Sequence, residues 1–171
     1  MMPAAKPLSM SVDVIVESGL WAAEPRAEAT VRRAIAAAAE TVRALLDAAG
    51  EVSVVLTDDA AIRALNRQWR HLDQPTNVLS FPAPRSANGR ASLLGDIAVA
   101  YETTAREATK EHKPLADHLA HLAVHGFLHL VGYDHGSNDA ADEMERLEAK
   151  ILARIGVPDP YAAHAAGPDA A

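Results

Sequence analysis

The segment His125–His135, which reads HGFLHLVGYDH, limits the fold of this chain more than any other because its three histidines are spaced for one metal ion. His125 and His129 are four residues apart and share one face of a helix. A third ligand cannot come from the next turn, because the outer Cα atoms would lie about 12 Å apart while each imidazole nitrogen must come within about 2 Å of the metal. The chain must therefore turn back after His129.

Gly132 predicts that turn. A glycine that follows a helix adopts the left-handed conformation that redirects the backbone, so His135 can approach the other two histidines. Three imidazoles without cysteine suit zinc, and three ligands leave a fourth position open for water. The spacing therefore predicts one catalytic zinc per chain, bound by His125, His129 and His135.

Two other interpretations of this spacing exist. The first is a merely histidine-rich helix, which the combination of helix, break and return disfavours. The second is a metzincin protease, whose HExxHxxGxxH motif carries a glutamate as general base. That position is Gly126 here, so peptide hydrolysis by that route is disfavoured.

The helix that carries the histidines is predicted to follow Pro114 and to continue through Val131. It is apolar nearly all round, apart from a histidine stripe that also contains His118 and His121, and this is typical of a buried central helix. We therefore expect the metal on the floor of a cleft. His118 and His121 are expected to line that cleft or to pack against neighbouring side chains.

The whole chain predicts one α+β domain, with a small mixed sheet of about four strands and about five helices around the central helix. The predicted strands cover residues 11–17, 51–56, 77–81 and 94–101, and the predicted helices cover residues 25–49, 58–69, 102–112, 115–131 and 138–155. Residues 1–10 are predicted to be a flexible N-terminus, 11–156 a single catalytic domain, and 157–171 a flexible tail that includes His164.

Two of the predicted helices have a recognisable buried side. In the helix at 58–69, this side is predicted to consist of Ile62, Leu65 and Trp69. In the helix at 138–155, it is predicted to consist of Met144, Leu147, Ile151 and Ile155. The acidic residues of this last helix are expected to form a solvated face.

Composition restricts the class of protein. With 171 residues the chain fits one domain, and the absence of cysteine excludes disulfides and thiolate metal sites. No segment reads as a secretory signal or a membrane span, so we expect a cytoplasmic enzyme with no membrane partner. The net charge of −7 argues against a protein that coats nucleic acid, although a local positive patch would suffice for a small enzyme.

Such a patch is predicted between residues 58 and 92, which contain five arginines against three aspartates. Arg63, Arg67 and Arg70 form a stripe on one helix, and the first two are expected to belong to a solvated face. Arg70 differs because it ends the helix beside a turn, where a cleft can open. Its planar guanidinium suits phosphate, which makes Arg70 the candidate catalytic residue.

The metal motif closely resembles the signature of the YbeY endoribonuclease family. Residues 65–82 (LNRQWRHLDQPTNVLSFP) and 93–100 (LLGDIAVA) resemble two further hallmarks of that family in the same order. With the acidic helix near the C-terminus, the resemblance spans about residues 50 to 156. It implies that the three histidines bind zinc and that Arg70 faces RNA phosphate.

The same resemblance implies a zinc-dependent, single-strand-specific endoribonuclease. Its implied roles are 3′-end maturation of 16S rRNA and ribosome quality control, and its implied partners are the small ribosomal subunit and an associated GTPase. Whether activated water or the RNA 2′-OH attacks the phosphorus stays open. Two alternatives are a metal-dependent hydrolase of peptides or amides, and a zinc-stabilised module that binds the ribosome without catalysis.

Four further polar residues lie in these motifs. Asp134 either orients a ligand imidazole or stabilises the turn. Thr76 and Ser80 are expected to serve strand packing more than substrate binding. Asp96 is expected to be structural and not a fourth ligand.

Overall fold

A computed structural model describes residue 4 and residues 7–46, 49–84 and 93–162. The strands are β1 (Ser9–Val16), β2 (Ala49–Thr57), β3 (Val78–Pro82) and β4 (Leu93–Ala100). The α-helices are α1 (Ala27–Thr41), α2 (Asp59–Arg70), α3 (Tyr101–Lys110), α4 (Leu115–Leu130) and α5 (Asn138–Arg154). Short 3₁₀ helices cover Gly19–Ala23 and Arg43–Leu45. The predicted α+β domain with a small mixed sheet is confirmed.

The four strands form one sheet in the order β1-β2-β4-β3. β1, β2 and β4 run parallel, whereas β3 is antiparallel to β4 and forms one edge of the sheet. Gly95 in β4 has a φ of 141°, and a Cβ at this position would lie 2.2 Å from the carbonyl oxygen of Phe81 in β3. Only glycine permits this close approach of the two strands.

Alternate residues of β4 serve the two faces of the sheet. Ile97 and Val99 belong to the main core, which includes α1, α4 and α5. Ala98 and Ala100 belong to a smaller cluster that includes Ile62 of α2. Helix α4 therefore packs on the same face of the sheet as α1 and α5, whereas α2 packs on the opposite face. The buried position of α4 agrees with its all-round apolar sequence.

The prediction of a helix over residues 25–49 was wrong in its last third. Helix α1 ends at Thr41, and Ala49 and Gly50 already pair with Ser9 and Met10 as the first residues of β2. Alanine-rich sequence favours helix, but this pairing satisfies backbone groups at the sheet edge instead. β1 consequently begins two residues before the strand predicted from the sequence.

The buried side of α2 also differs from the prediction. Ile62 is fully buried, but Trp69 is 62% exposed. Asn66 is buried instead, and its side-chain amide donates a 2.8 Å hydrogen bond to the carbonyl oxygen of Gln74. The backbone carbonyl of Asn66 accepts from the amide of His71 at the end of the helix. Asn66 thus fixes the turn that follows Arg70.

The C-terminal segment is partly defined. Val157 packs against the main core, and Tyr161 donates a hydrogen bond from its hydroxyl to Glu148. This part of the predicted flexible tail therefore has a specific contact, while His164 lies outside the described residues. The arginines at positions 85 and 90, counted in the predicted positive patch, also lie outside them. None of the described helices is long and apolar enough to cross a bilayer.

Candidate metal centre

The three predicted ligands lie together at the end of α4. His125, His129 and His135 each present a ligand atom, and these atoms lie within 4.8 Å of one another. The centroid of the His135 ring is 4.9 Å from the centroid of each of the other two rings. Gly132 makes this return possible with a φ of 108°. No atom lies near the position of a Cβ at Gly132, so backbone conformation alone is what requires glycine there.

Hydrogen-bond acceptors assign the tautomers of the two helical histidines. His125 Nδ1 lies 2.5 Å from Glu148 Oε1, and His129 Nδ1 lies 3.0 Å from the carbonyl oxygen of Tyr133. Since each acceptor requires a proton on Nδ1, the neutral form of either ring carries its lone pair on Nε2. Those Nε2 atoms are 3.1 Å apart, so either a proton on one of them or a shared metal ion would relieve the repulsion between two facing lone pairs.

This arrangement fits a bound metal ion. Two nitrogens on one tetrahedral zinc, each about 2.1 Å from it, lie about 3.4 Å apart, close to the separation in this pair. Burial and the neighbouring imidazoles of His125 and His135 lower the pKa of His129. His129 is therefore neutral at pH 7, the protonation state that a metal ligand needs.

Glu148 of α5 is the functional residue that sequence reasoning missed. Its acidic neighbours led us to expect a solvated face, yet Glu148 is fully buried. Its carboxylate accepts from His125, from His121 Nε2 at 3.1 Å and from the Tyr161 hydroxyl. Burial alone raises the pKa of Glu148, but the hydrogen bonds and charges of the two histidines outweigh it and lower the pKa to about 2. The only sequence signal is its i+4 position after Met144, on the buried side.

The other two histidines of α4 pack against neighbours, as expected. His118 is buried, and its Nε2 lies 2.6 Å from Glu107 Oε2 in α3. Glu107 also accepts from the side-chain amide of Asn77 at the start of β3. His121 contacts Glu148 and is not one of the three clustered histidines. A chain of carboxylate–histidine contacts therefore joins α3, α4 and α5 beside the candidate metal centre.

Arg70 lines the same cleft as the three histidines. The cleft has a volume of about 590 Å³ and is also lined by Ser80 and Pro82 of β3 and by Asp134. Among the described residues, Arg70 has no hydrogen-bond or ion-pair partner. On the same helix, Arg63 forms an exposed ion pair with Asp73 at 2.8 Å. The structure thus brings to the cleft the guanidinium of Arg70, which is unpaired within the described part of the chain.

A family model described as Endoribonuclease YbeY matches residues 17–156. The chain belongs to the YbeY family. A protein named Endoribonuclease YbeY from Bradyrhizobium sp. strain BTAi1 is 56% identical over 157 residues, which cover 89% of this chain and 92% of the relative. One from Nitrobacter hamburgensis is 53% identical over 164 residues, covering 91% of this chain and 84% of the relative.

The fold is similar to the solution structure of TM1509 from Thermotoga maritima, with a TM-score of 0.51. The two sequences are 21% identical, and the match covers 85% of this chain and 91% of the other. This likeness supports the fold alone. The residues that match the YbeY family model include the three clustered histidines and Arg70.

Gly126 distinguishes this YbeY chain from metzincins not only by residue type but also by the tight packing around it. A Cβ at Gly126 would lie 3.0 Å from Ile97 Cγ2 and 3.1 Å from Ser80 Oγ. Ser80 donates a 3.1 Å hydrogen bond to the carbonyl oxygen of Gly126, so it has the packing role expected of it. A glutamate base at this position would collide with the sheet.

The remaining polar residues of the YbeY motifs have defined surroundings. Asp134 accepts a 2.7 Å hydrogen bond from the backbone amide of His135, which stabilises the turn that carries this ligand. Asp96 is exposed on β4, alternates with Ile97, and therefore points away from α4. Asp96 is not a member of the histidine cluster. Thr76 is half-buried just before β3.

Proposed function

We propose that this chain is a zinc-dependent, single-strand-specific endoribonuclease that acts in 3′-end maturation of 16S rRNA and in ribosome quality control. The observation that carries the proposal is the meeting of three histidines and an unpaired arginine in one cleft. Membership of the YbeY family and the names of its relatives support endoribonuclease activity. The proposed metal ligands are His125, His129 and His135, with one zinc per chain.

The donor set favours zinc. Three neutral imidazole nitrogens with no carboxylate among them suit a borderline metal such as zinc better than magnesium or calcium, which prefer oxygen ligands. When bound, zinc supplies a Lewis acid that polarises a phosphate oxygen or activates the attacking group. Glu148 and the carbonyl of Tyr133 hold the imidazoles of His125 and His129 so that Nε2 faces the metal.

Arg70 is the proposed catalytic partner of the metal centre. A phosphodiester in the cleft gains negative charge as its phosphorus becomes pentacoordinate, and a guanidinium fork neutralises that charge. Since Arg70 has no competing carboxylate among the described residues, its charge is available to substrate. By analogy with single oxyanion donors, this contribution is on the order of 3 kcal/mol.

The proposed setting is the cytoplasm, with the small ribosomal subunit and an associated GTPase as partners. A net charge of −7 gives the chain little general affinity for RNA. A partner that already holds the RNA would orient the substrate and compensate for this weak attraction. We therefore also propose that a partner must bring the RNA substrate to the enzyme.

Variants of two cleft residues separate metal binding from phosphate binding. We expect His125→Ala to lose both zinc and RNA cleavage, whereas Arg70→Ala keeps zinc and loses activity by on the order of 100-fold. The measurements are zinc content by elemental analysis and the rate of cleavage of single-stranded and duplex RNA of one sequence. Arg67→Ala is the matched control, because Arg67 lies on the same helix but does not line the cleft.

Three results would contradict the proposal. Undiminished cleavage by Arg70→Ala would remove Arg70 from the mechanism. Faster zinc-dependent cleavage of casein than of single-stranded RNA would favour the peptide or amide hydrolase. Absence of RNA cleavage by the parent, with ribosome association intact, would favour the zinc-stabilised binding module.

A further inference from the structure

An exposed tryptophan that does not belong to the hydrophobic core lies next to the cleft. Trp69 is 62% exposed on α2, although tryptophan normally buries most of its surface. Its ring meets the half-buried ring of Phe81 edge-on, with centroids 6.2 Å apart. The exposed ring therefore has a fixed neighbour on one side and solvent on the other.

Trp69 and Phe81 are each adjacent in the chain to residues of the cleft. Trp69 precedes Arg70, and Phe81 lies between Ser80 and Pro82, all three of which line the cleft. β3 is an edge strand, and no other strand of the described part of the chain pairs with its outer side. The tryptophan ring, in contact with Phe81 of β3, therefore lies close to a path by which a polynucleotide could leave the cleft over this edge strand.

We propose that Trp69, supported by Phe81, stacks on an unpaired RNA base next to the phosphate bound by Arg70. This inference rests on the proposed function and gives it a specificity determinant. Aromatic side chains bind single strands by stacking, which needs a base that is not already paired and stacked in a duplex. The Trp69 ring, supported by Phe81, would therefore select single-stranded substrate without recognising its base sequence.

Charge favours a nucleotide over an apolar protein partner on this surface. Arg70, which lines the cleft, accompanies Trp69 in the last turn of α2. Arg70 has no ion pair among the described residues, so its charge is available to a phosphate. An aromatic ring beside the guanidinium of Arg70 is a combination that can bind base and phosphate together.

Intrinsic fluorescence tests the stacking directly, because the chain has two tryptophans in opposite environments. Trp21 is only 2% exposed, and its indole nitrogen donates to the carbonyl oxygen of Thr57. We expect a short single-stranded 2′-O-methyl oligoribonucleotide to quench the fluorescence of the zinc-loaded parent. It should leave Trp69→Phe, which retains only Trp21, unchanged. An abasic sugar-phosphate of the same length should quench neither protein.

Kinetics on single-stranded RNA provide the second readout. Loss of one stacked base should raise KM by about 10-fold in Trp69→Ala, with little change in kcat, and Trp69→Tyr should restore KM. Leu72→Ala is the matched control, since this exposed side chain lacks a ring, and its KM should equal that of the parent.

Equal KM values for Trp69→Ala and the parent, or equal quenching by the abasic strand, would overturn the stacking proposal. Those results would leave the proposed nuclease function intact if Arg70→Ala still abolished cleavage. If the parent cleaves no RNA, the proposed function fails, and the quenching experiment alone decides whether Trp69 binds bases.

Discussion

At the scale of single residues, the ability of the candidate metal centre to bind an ion depends on which nitrogen of each imidazole carries the proton. Glu148 sets this for His125, because a buried carboxylate at 2.5 Å accepts the Nδ1 proton and leaves Nε2 available to the proposed metal ion. The carbonyl of Tyr133 does the same for His129. Orientation of the ligands is therefore supplied by residues outside the histidine motif.

Glu148→Gln should weaken zinc binding by about 10- to 100-fold while the protein stays folded. The amide retains an oxygen that can accept from His125 but removes the charge that holds the imidazole. Zinc affinity is measured by competition with a chelator, and folding by circular dichroism. Glu143→Gln, an exposed change on the same helix, is the control. Unchanged zinc affinity in Glu148→Gln would mean that Glu148 only fills space.

At the scale of elements, the position of the metal helix depends on close contact between α4 and the sheet. Gly126 makes this contact because a side chain there would press on Ile97 of β4 and Ser80 of β3. The same contact brings β3, which lines the cleft, beside the histidines. Glycine in mid-helix costs about 1 kcal/mol relative to alanine, so packing must outweigh helix propensity here.

Gly126→Ala should therefore lower the free energy of unfolding by about 1–3 kcal/mol, because overpacking exceeds the gain in helix propensity. Urea denaturation measures the effect. Ala64→Gly, at an exposed position within α2, calibrates the propensity difference without packing. A Gly126→Ala variant more stable than the parent would show that α4 can move away from β4 at no cost.

At the scale of the whole molecule, carboxylate–histidine pairs join three helices, and the carboxylate of one of them, Glu148, is fully buried. Glu107 connects α3 to His118 of α4, and Glu148 connects α5 to His121 and His125 of the same helix. Burial raises the pKa of Glu107, but hydrogen bonds from His118 and Asn77 outweigh it, and the net shift is downward. The pKa of Glu148 is lowered to about 2 for the corresponding reason.

The metal-free protein should lose stability in acid. A carboxylate whose pKa is lower in the folded state stabilises the fold above its unfolded pKa, near 4.5 here, and this contribution disappears as pH falls towards 2. For Glu148 the loss is on the order of 3 kcal/mol. Urea denaturation with chelator at pH 6, 4 and 3 measures it. Glu148→Gln should show a shallower decline, and an equally steep one would contradict this assignment.

The sequence by itself determined the local features: the clustering of His125, His129 and His135, the helix that carries two of them, the glycine turn and the α+β class. Their role as metal ligands stays a prediction. These features depend on periodicity and spacing within one short segment, which the residues encode directly. The resemblance to the YbeY family extended this interpretation to Arg70, whose catalytic role stays a prediction. The end of α1 at Thr41 was missed because strand pairing overrode the helix propensity of the alanines that follow.

Only the tertiary structure decided which distant residues meet. Strand order, the burial of Glu148 beside His125 and the exposure of Trp69 beside Arg70 each depend on contacts between elements far apart in the chain. Helical periodicity identified the buried side of α5, but it could not show that a carboxylate on this side would find two histidines and a tyrosine. Such a buried charge is stable only when its partners are assembled by the whole fold.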